Sequence, residues 1–570
     1  MKRRDLLTAI TGFDQPGDPS LPQQASAVSP FANKVLPKVQ QTTAGLEQYS
    51  GPFGTDLLLH LLRRTMFGAA RADVNVLKGQ GMVQVVDQLL AVPPAEASAP
   101  LLYATATNET TPVGSTWINA TTNDNSGGRY ASLKAWWLNL MLNQPISIRE
   151  KMVLFWHNHF VTATGTVGDP RYTYRYLALL RNNALGNFKD LTRQISIDGA
   201  MLIYLNGYRN SASAPDENYA RELQELFTIG KGPQVGPGDY TNYTEDDVRA
   251  AAKVLTGWRL LKNADGSIGP TTSTFNVNFH DSSNKTFSNR YANTVVIGSA
   301  DGLAELNAML DMIFAQPETA RFICRKLYRW FVYYVIDSWT EANIIEPLAA
   351  TLRSNNYNIL PVLNQLLKSA HFFDAANVGC VIKNPVDLVL GLCRQYGLPF
   401  PTTDVPTQYN LWNSLVNQAA TLQLSIGDPP DVSGWHAYYQ EPEYYELWIN
   451  SDTLPKRSAW TSRMASSGIS SGSTKVIIDP IAFVKTLSDP TDPNIIVNET
   501  AQFFFPIPIT PSQQVFLKGV LIPGLPDYEW TAEWTIYLAD PTNPTKLAAV
   551  KSKLQSLISF MMTMPEYQLM

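Results

Sequence analysis

Apolar residues recur every three or four positions along most of the chain, a spacing that predicts one helix after another. The first runs from Asp56 to Phe67, and Asp73 to Leu90 supplies a second amphipathic segment that Pro93-Pro94 ends. Tyr130 to Leu142 stops before Pro145. Ser147, with Glu150 three residues on, predicts a capping box opening a helix through Phe155-Trp156. Tyr172 to Leu180, Phe188 to Ile197 and Pro215 to Ile229 continue the series, the last closed by Gly230 and Gly232. Thr244 with Asp247 caps a helix ending at Gly257. Further helices are expected over Leu303 to Phe314, Thr319 to Tyr334, through 341 to 396, and over Lys456 to Met464 and Thr545 to Met561. Glu529 to Leu538 alternates like a strand or hairpin.

Two stretches break the rhythm. Thr105 to Gly128 is a long polar loop of Asn, Thr and Gly, a surface insertion or a lid. Residues 258 to 300 are rich in Gly, Asn, Ser and Asp, with short strands expected near Phe275 to Phe279 and Val295 to Ile297. Residues 1–50 carry no sustained period and read as an N-terminal arm. Residues 51–570 contain no internal repeat and no dividing linker, so one integrated, mainly helical body with minor β hairpins is expected.

Composition narrows the function classes. At 45 % hydrophobic and 11 % aromatic residues, the chain is that of a well-packed soluble protein. A net charge of −5, without a basic stripe, offers no field for nucleic acid. No apolar run is long enough to cross a bilayer. Cys324, Cys380 and Cys393 cannot build a disulfide framework, a lone Cys380–Cys393 bond aside. The start Met1-Lys2-Arg3-Arg4-Asp5-Leu6-Leu7 is similar to a twin-arginine export signal, but the chain then turns to Thr11-Gly12-Phe13 instead of an apolar core.

Several segments carry a resemblance: His60-Leu61-Leu62-Arg63-Arg64-Thr65-Met66-Phe67-Gly68, Phe155-Trp156-His157-Asn158-His159-Phe160, and Asp216-Glu217-Asn218-Tyr219-Ala220-Arg221-Glu222-Leu223-Gln224-Glu225-Leu226-Phe227. Leu255-Thr256-Gly257-Trp258, His280-Asp281 with Lys285, Lys383-Asn384-Pro385, Gly434-Trp435 and the closing Met564-Pro565-Glu566-Tyr567-Gln568 join them. From about residue 55 onward the sequence resembles the bacterial family called domain of unknown function 1800. It departs at Met66 and in the long loop before Gly128. The resemblance implies a mainly helical protein, a periplasmic or extracellular location, and a sulfatase-like partner encoded nearby. A cytoplasmic location is expected if the N-terminal signal does not operate.

Candidate chemistry gathers in three places. His157 and His159 lie two apart, about 200° around a regular helix, so they share a ligand only if the helix ends there. Their alternatives are structural hydrogen bonding, metal ligation and acid/base work. Glu217, Arg221 and Glu225 recur every four residues as an ion-pair ladder, with Glu222 three before Glu225. Arg221 reads as an organiser of neighbouring helices, while Glu222 or Glu225 beside an imidazole would suit a divalent metal or poise a water. The third place is the loop with His280, Asp281 and Lys285, either a salt-bridged turn or part of a site. Trp258 and Trp435 read as core anchors. No nucleophile elbow, phosphate-binding loop or dinucleotide fingerprint occurs.

Two functions follow. One is a non-catalytic scaffold that presents the polar loops to a partner. The other is a metal-assisted hydrolase or oxidoreductase in which His157, His159, Glu222, Glu225, His280 and Asp281 hold the cation, with His157, His159, Glu222 and His280 as the catalytic set.

Overall fold

The computed structural model describes residues 42–91 and 98–570. The export-like start, most of the N-terminal arm and Pro93-Pro94 lie outside the described residues.

Helices dominate, as the periodicity predicts, and the only strands among the described residues form short two-stranded antiparallel hairpins. The chain opens with Thr55–Thr65, whose last turn carries Arg63 and Arg64 at the negative end of the helix dipole. The expected helix from Asp73 to Leu90 is in fact two, Arg71–Leu77 and Met82–Leu90. The break falls at Gly79, whose φ of +87° no helix tolerates and a glycine adopts at little cost.

Ser126–Leu142, Arg149–His159, Pro170–Asn182 and Phe188–Ser196 follow. The Ser147/Glu150 capping box does not form. Ser147 Oγ accepts from the Arg149 amide at 3.3 Å, while Glu150 Oε1 takes Arg181 Nε at 2.8 Å. A buried carboxylate gains more from a guanidinium than from a neutral amide, so Glu150 turns to Arg181. The Thr244/Asp247 box does form, with the Asp247 amide 3.3 Å from Thr244 Oγ1 and the return bond at 2.8 Å.

The polar loop before Ser126 is tied down by Glu109, which lies 2.6 Å from Arg129 Nη2 with both side chains buried. Burial alone would raise the Glu109 carboxyl, but hydrogen bonds from Arg129 and Thr111 outweigh it and hold the group at about 2.

In the second irregular stretch, Trp258–Leu260 pairs with Ser273–Phe275, and Lys285–Thr286 with Val295–Val296. The strand expected at Phe275 to Phe279 therefore ends at Phe275, and Val277–Phe279 is a 3-10 turn held by Asn276.

Helices resume at Gly302–Phe314 and Pro317–Phe331, and the chain closes with Pro493–Phe504, Pro511–Leu521, Asp527–Ala539 and Pro544–Thr563. The strand expected at Glu529 to Leu538 is wrong. Trp530, Trp534 and Tyr537 bury at four- and three-residue spacing, which only a helix can turn to one side. Val405–Thr421, which packs on Ser126–Leu142, was not anticipated either.

Buried apolar residues from Leu58 to Met570 form one connected cluster, with contacts that join the ends of the chain. Arg63 Nη2 donates to the Phe503 carbonyl at 2.9 Å across 440 residues, and His60 Nε2 to the Phe372 carbonyl at 3.1 Å. The three cysteines are free thiols, so no Cys380–Cys393 bond forms. Among the described residues no helix is long and apolar enough to cross a membrane.

Candidate functional site

Arg149–His159 runs through the interior with nearly every side chain buried, and it ends at His159, where the backbone of Phe160 leaves the helical region. That ending lets the two imidazoles find different neighbours.

His157 Nδ1 lies 3.1 Å from the Tyr176 hydroxyl, which itself donates to the Phe160 carbonyl at 2.5 Å. The phenol proton being committed, Nδ1 carries the hydrogen and Nε2 is left as a bare acceptor. No partner reaches that Nε2, which sits among the rings of Trp137 and Trp435. Burial drives His157 down to about 3.

His159 is fixed on both sides. Its Nε2 donates to the Phe227 carbonyl at 3.0 Å, and its Nδ1 accepts from Lys326 Nζ at 3.2 Å. Lys326 also donates to the Leu226 carbonyl at 3.0 Å. Burial lowers both groups, His159 far below its usual range and Lys326 to about 7. Lys326 is a participant that sequence reasoning missed. Its only signal was a cation in the helix Pro317–Phe331.

The carbonyls of Leu226 and Phe227 belong to a π-helical turn, Leu223–Thr228, that continues Glu217–Glu222. Such turns displace backbone hydrogen bonds and expose carbonyls, here to Lys326 and His159. On the same segment Glu222 is pushed up to about 7 by burial and then by the neighbouring Glu225. Glu225 itself accepts from Tyr243 at 2.8 Å and from Lys231 at 3.3 Å.

The expected ladder through Arg221 is thus only half present. Arg221 pairs in a fork with Glu245, at 2.5 and 2.6 Å, and with Glu217 at 3.3 Å, whereas Glu225 turns away to Tyr243 and Lys231. A fork across helices satisfies two guanidinium nitrogens at once, which one intrahelical carboxylate cannot. With about a third of its side chain in solvent, Arg221 organises a surface junction. Arg221→Ala should cost about 1 kcal/mol in a urea melt; a loss of several kcal/mol would mean that the junction is far drier than its exposure indicates.

His280 belongs to a separate centre. Its Nδ1 faces the Thr256 carbonyl at 2.9 Å and its Nε2 lies 3.0 Å from Glu305 Oε1. Lys285 Nζ meets the other Glu305 oxygen at 2.5 Å, and all three side chains are sealed from solvent. Asp281 does not join them, because its carboxylate caps a turn through Ser283 while its amide donates to Thr256. Trp258 packs on Phe275, and Trp435 sits against His157 with its amide donated to Asn158 Oδ1 at 2.9 Å. Gly434 makes that approach possible, since a Cβ there would lie 2.4 Å from Asn158 Oδ1 at a φ of +103°.

His157, His159 and His280 therefore have three different sets of partners. Among the described residues no group of three or more His, Cys, Asp or Glu side chains is arranged to hold a metal ion.

No curated protein and no solved structure matches the chain. Residues 60–569 do match one family model, described as a protein of unknown function (DUF1800). That span reaches from His60 through the closing Tyr567-Gln568, and the chain belongs to this family.

Proposed function

We propose that the protein is a non-catalytic helical scaffold that binds a partner protein through the irregular segment 262–300, with the polar loop before Ser126 as a second surface. One observation carries this reading. The segment turns its ionisable residues His280 and Lys285 inward onto Glu305 while exposing Val277, Phe279, Val295 and Ile297, the last 66 % in solvent. Exposed apolar side chains on a pinned backbone suit a preformed docking surface. The partner is the sulfatase-like protein that the family resemblance implies, met outside the cytoplasm.

Co-expression and capture test it. A Phe279→Ser/Ile297→Ser double variant should retain the wild-type circular dichroism and Tm yet lose about tenfold or more in affinity for the sulfatase-like protein. Undiminished capture by the folded variant would remove this reading.

A second reading, acid/base or metal-assisted chemistry, draws on Glu222, whose raised carboxyl could hold or deliver a proton near neutral pH. A metal would have to draw its ligands from separate centres, since no group of three or more His, Cys, Asp or Glu side chains gathers among the described residues. Glu222 and Glu225 bring two carboxylates, His159 is spent on Phe227 and Lys326, and His280 is spent on Thr256 and Glu305.

A further inference from the structure

Around the segment 380–384 the interior holds more positive charge than it neutralises. Arg64 and Arg457 are fully buried, Lys151 and Arg63 nearly so, and half-buried Lys383 stands beside them. Among the described residues one side-chain carboxylate faces the group, Asp387, with Oδ1 2.5 Å from Lys151 Nζ and Oδ2 2.6 Å from Asn384 Nδ2. Among the described residues none of the other four cations has a carboxylate within ion-pair reach. Leaving buried charge uncompensated costs several kcal/mol per ion. Burial lowers Lys151, takes Lys383 far below its usual range and brings Arg63 and Arg457 to about 10.

A small cavity lies at the same place. It measures about 20 Å³ and is walled by Lys151, Trp330, Asn384, Asp387, Tyr438 and Tyr445. Such a volume has room for a water or one small ion. Trp330 Nε1 is buried without a partner. Arg64 and Arg457 do not line the cavity, but each bonds to a residue that flanks Val381 and Ile382, which do. Arg64 Nη2 reaches Cys380 Sγ at 3.1 Å, and Arg457 Nη2 reaches the Lys383 carbonyl at 2.6 Å. Arg64 Nε and Nη1 and Arg457 Nη1 are likewise buried and unpartnered. Every orphan on these residues is a hydrogen-bond donor. A water would meet donors with its lone pairs but would leave the charge uncancelled; an anion answers both.

We propose that this cavity is a binding site for one small monovalent anion, of halide or formate size, held by Lys151 and Trp330 in the field of Arg64 and Arg457. Phosphate and sulfate share the charge but exceed the volume.

The test uses the full chain in gluconate buffer at constant ionic strength, with bromide, formate and phosphate titrated separately and Tm followed. Bromide and formate should raise Tm saturably, as a ligand bound only by the native state does, and phosphate should not. Trp330→Phe keeps the ring packing on Tyr438 and removes the donor, so the half-saturating bromide concentration should rise about tenfold. Crystals of the unaltered chain soaked in bromide should show an anomalous peak beside Lys151 Nζ and Trp330 Nε1, a readout that needs no variant to fold. Equal Tm in bromide and gluconate, an equal response to phosphate, or a cavity without the bromide peak would each overturn the assignment.

Discussion

Between pH 6 and pH 4 each neutral buried imidazole should cost the protein about 1.4 kcal/mol of stability per pH unit. Burial holds His60 and His157 at about 3, keeps His159 far below its usual range and lowers His371. In the unfolded chain all four imidazoles take up protons near their ordinary value of 6.5. The unfolded state therefore binds more protons as the pH falls through 6.5, and acid favours it until the folded imidazoles themselves protonate. Carboxyls that burial raises, Asp73, Glu150, Asp198, Glu222 and Asp387, act in the opposite sense. Burial raises Asp198 and Glu222 to about 7, so the native state holds protons there that the unfolded chain releases until about pH 4. A variant that removes one imidazole isolates its share of the balance. Denaturant melts at pH 7, 6, 5 and 4 measure the slope, and His157→Gln should flatten it by about 1.4 kcal/mol per pH unit. A slope that His157→Gln leaves unchanged would contradict a neutral buried His157.

Glu305→Ala should cost about 3–5 kcal/mol, the ordinary penalty for stranding a buried charge. Glu305 alone answers both His280 Nε2 and Lys285 Nζ, and its side chain is 1 % exposed. Without it, a lysine with no route to solvent must shed its proton or drag the segment open. Lys285→Met in the same chain removes the stranded ammonium and should recover a large part of the loss, which a double-mutant cycle on urea melts quantifies. A single-variant cost below about 1 kcal/mol would mean that water reaches the triad.

Glu305 was legible, though it was not read. In the helix Gly302–Phe314 it falls on the stripe that continues through Leu306, Met309 and Ile313, and an acid on an apolar stripe asks for a buried cation. The sequence pattern located His280 and Lys285 but could not say which helix, twenty or more residues on, would close over them. The helix Asp527–Ala539 failed for a related reason. Exposed Tyr528, Ile536 and Leu538 interleave with buried Trp530, Trp534 and Tyr537, and together they imitate the alternation of a strand. Where polar faces are clean, as in Phe188–Ser196, the period gave the helix directly. The partners of His157 and His159 lay further beyond reach, since a hydroxyl from another helix and carbonyls freed by a π turn leave no mark on local periodicity.

The bond from Arg63 to the Phe503 carbonyl also sets a timetable for synthesis. The helix Thr55–Thr65 emerges from the ribosome 440 residues before the segment that completes its surroundings. At ordinary elongation rates that interval is about 20–90 s, during which Leu58, Leu59, Leu61 and Leu62 have no finished cover. The nascent chain thus carries this helix without one of its native bonds until most of the sequence has been made.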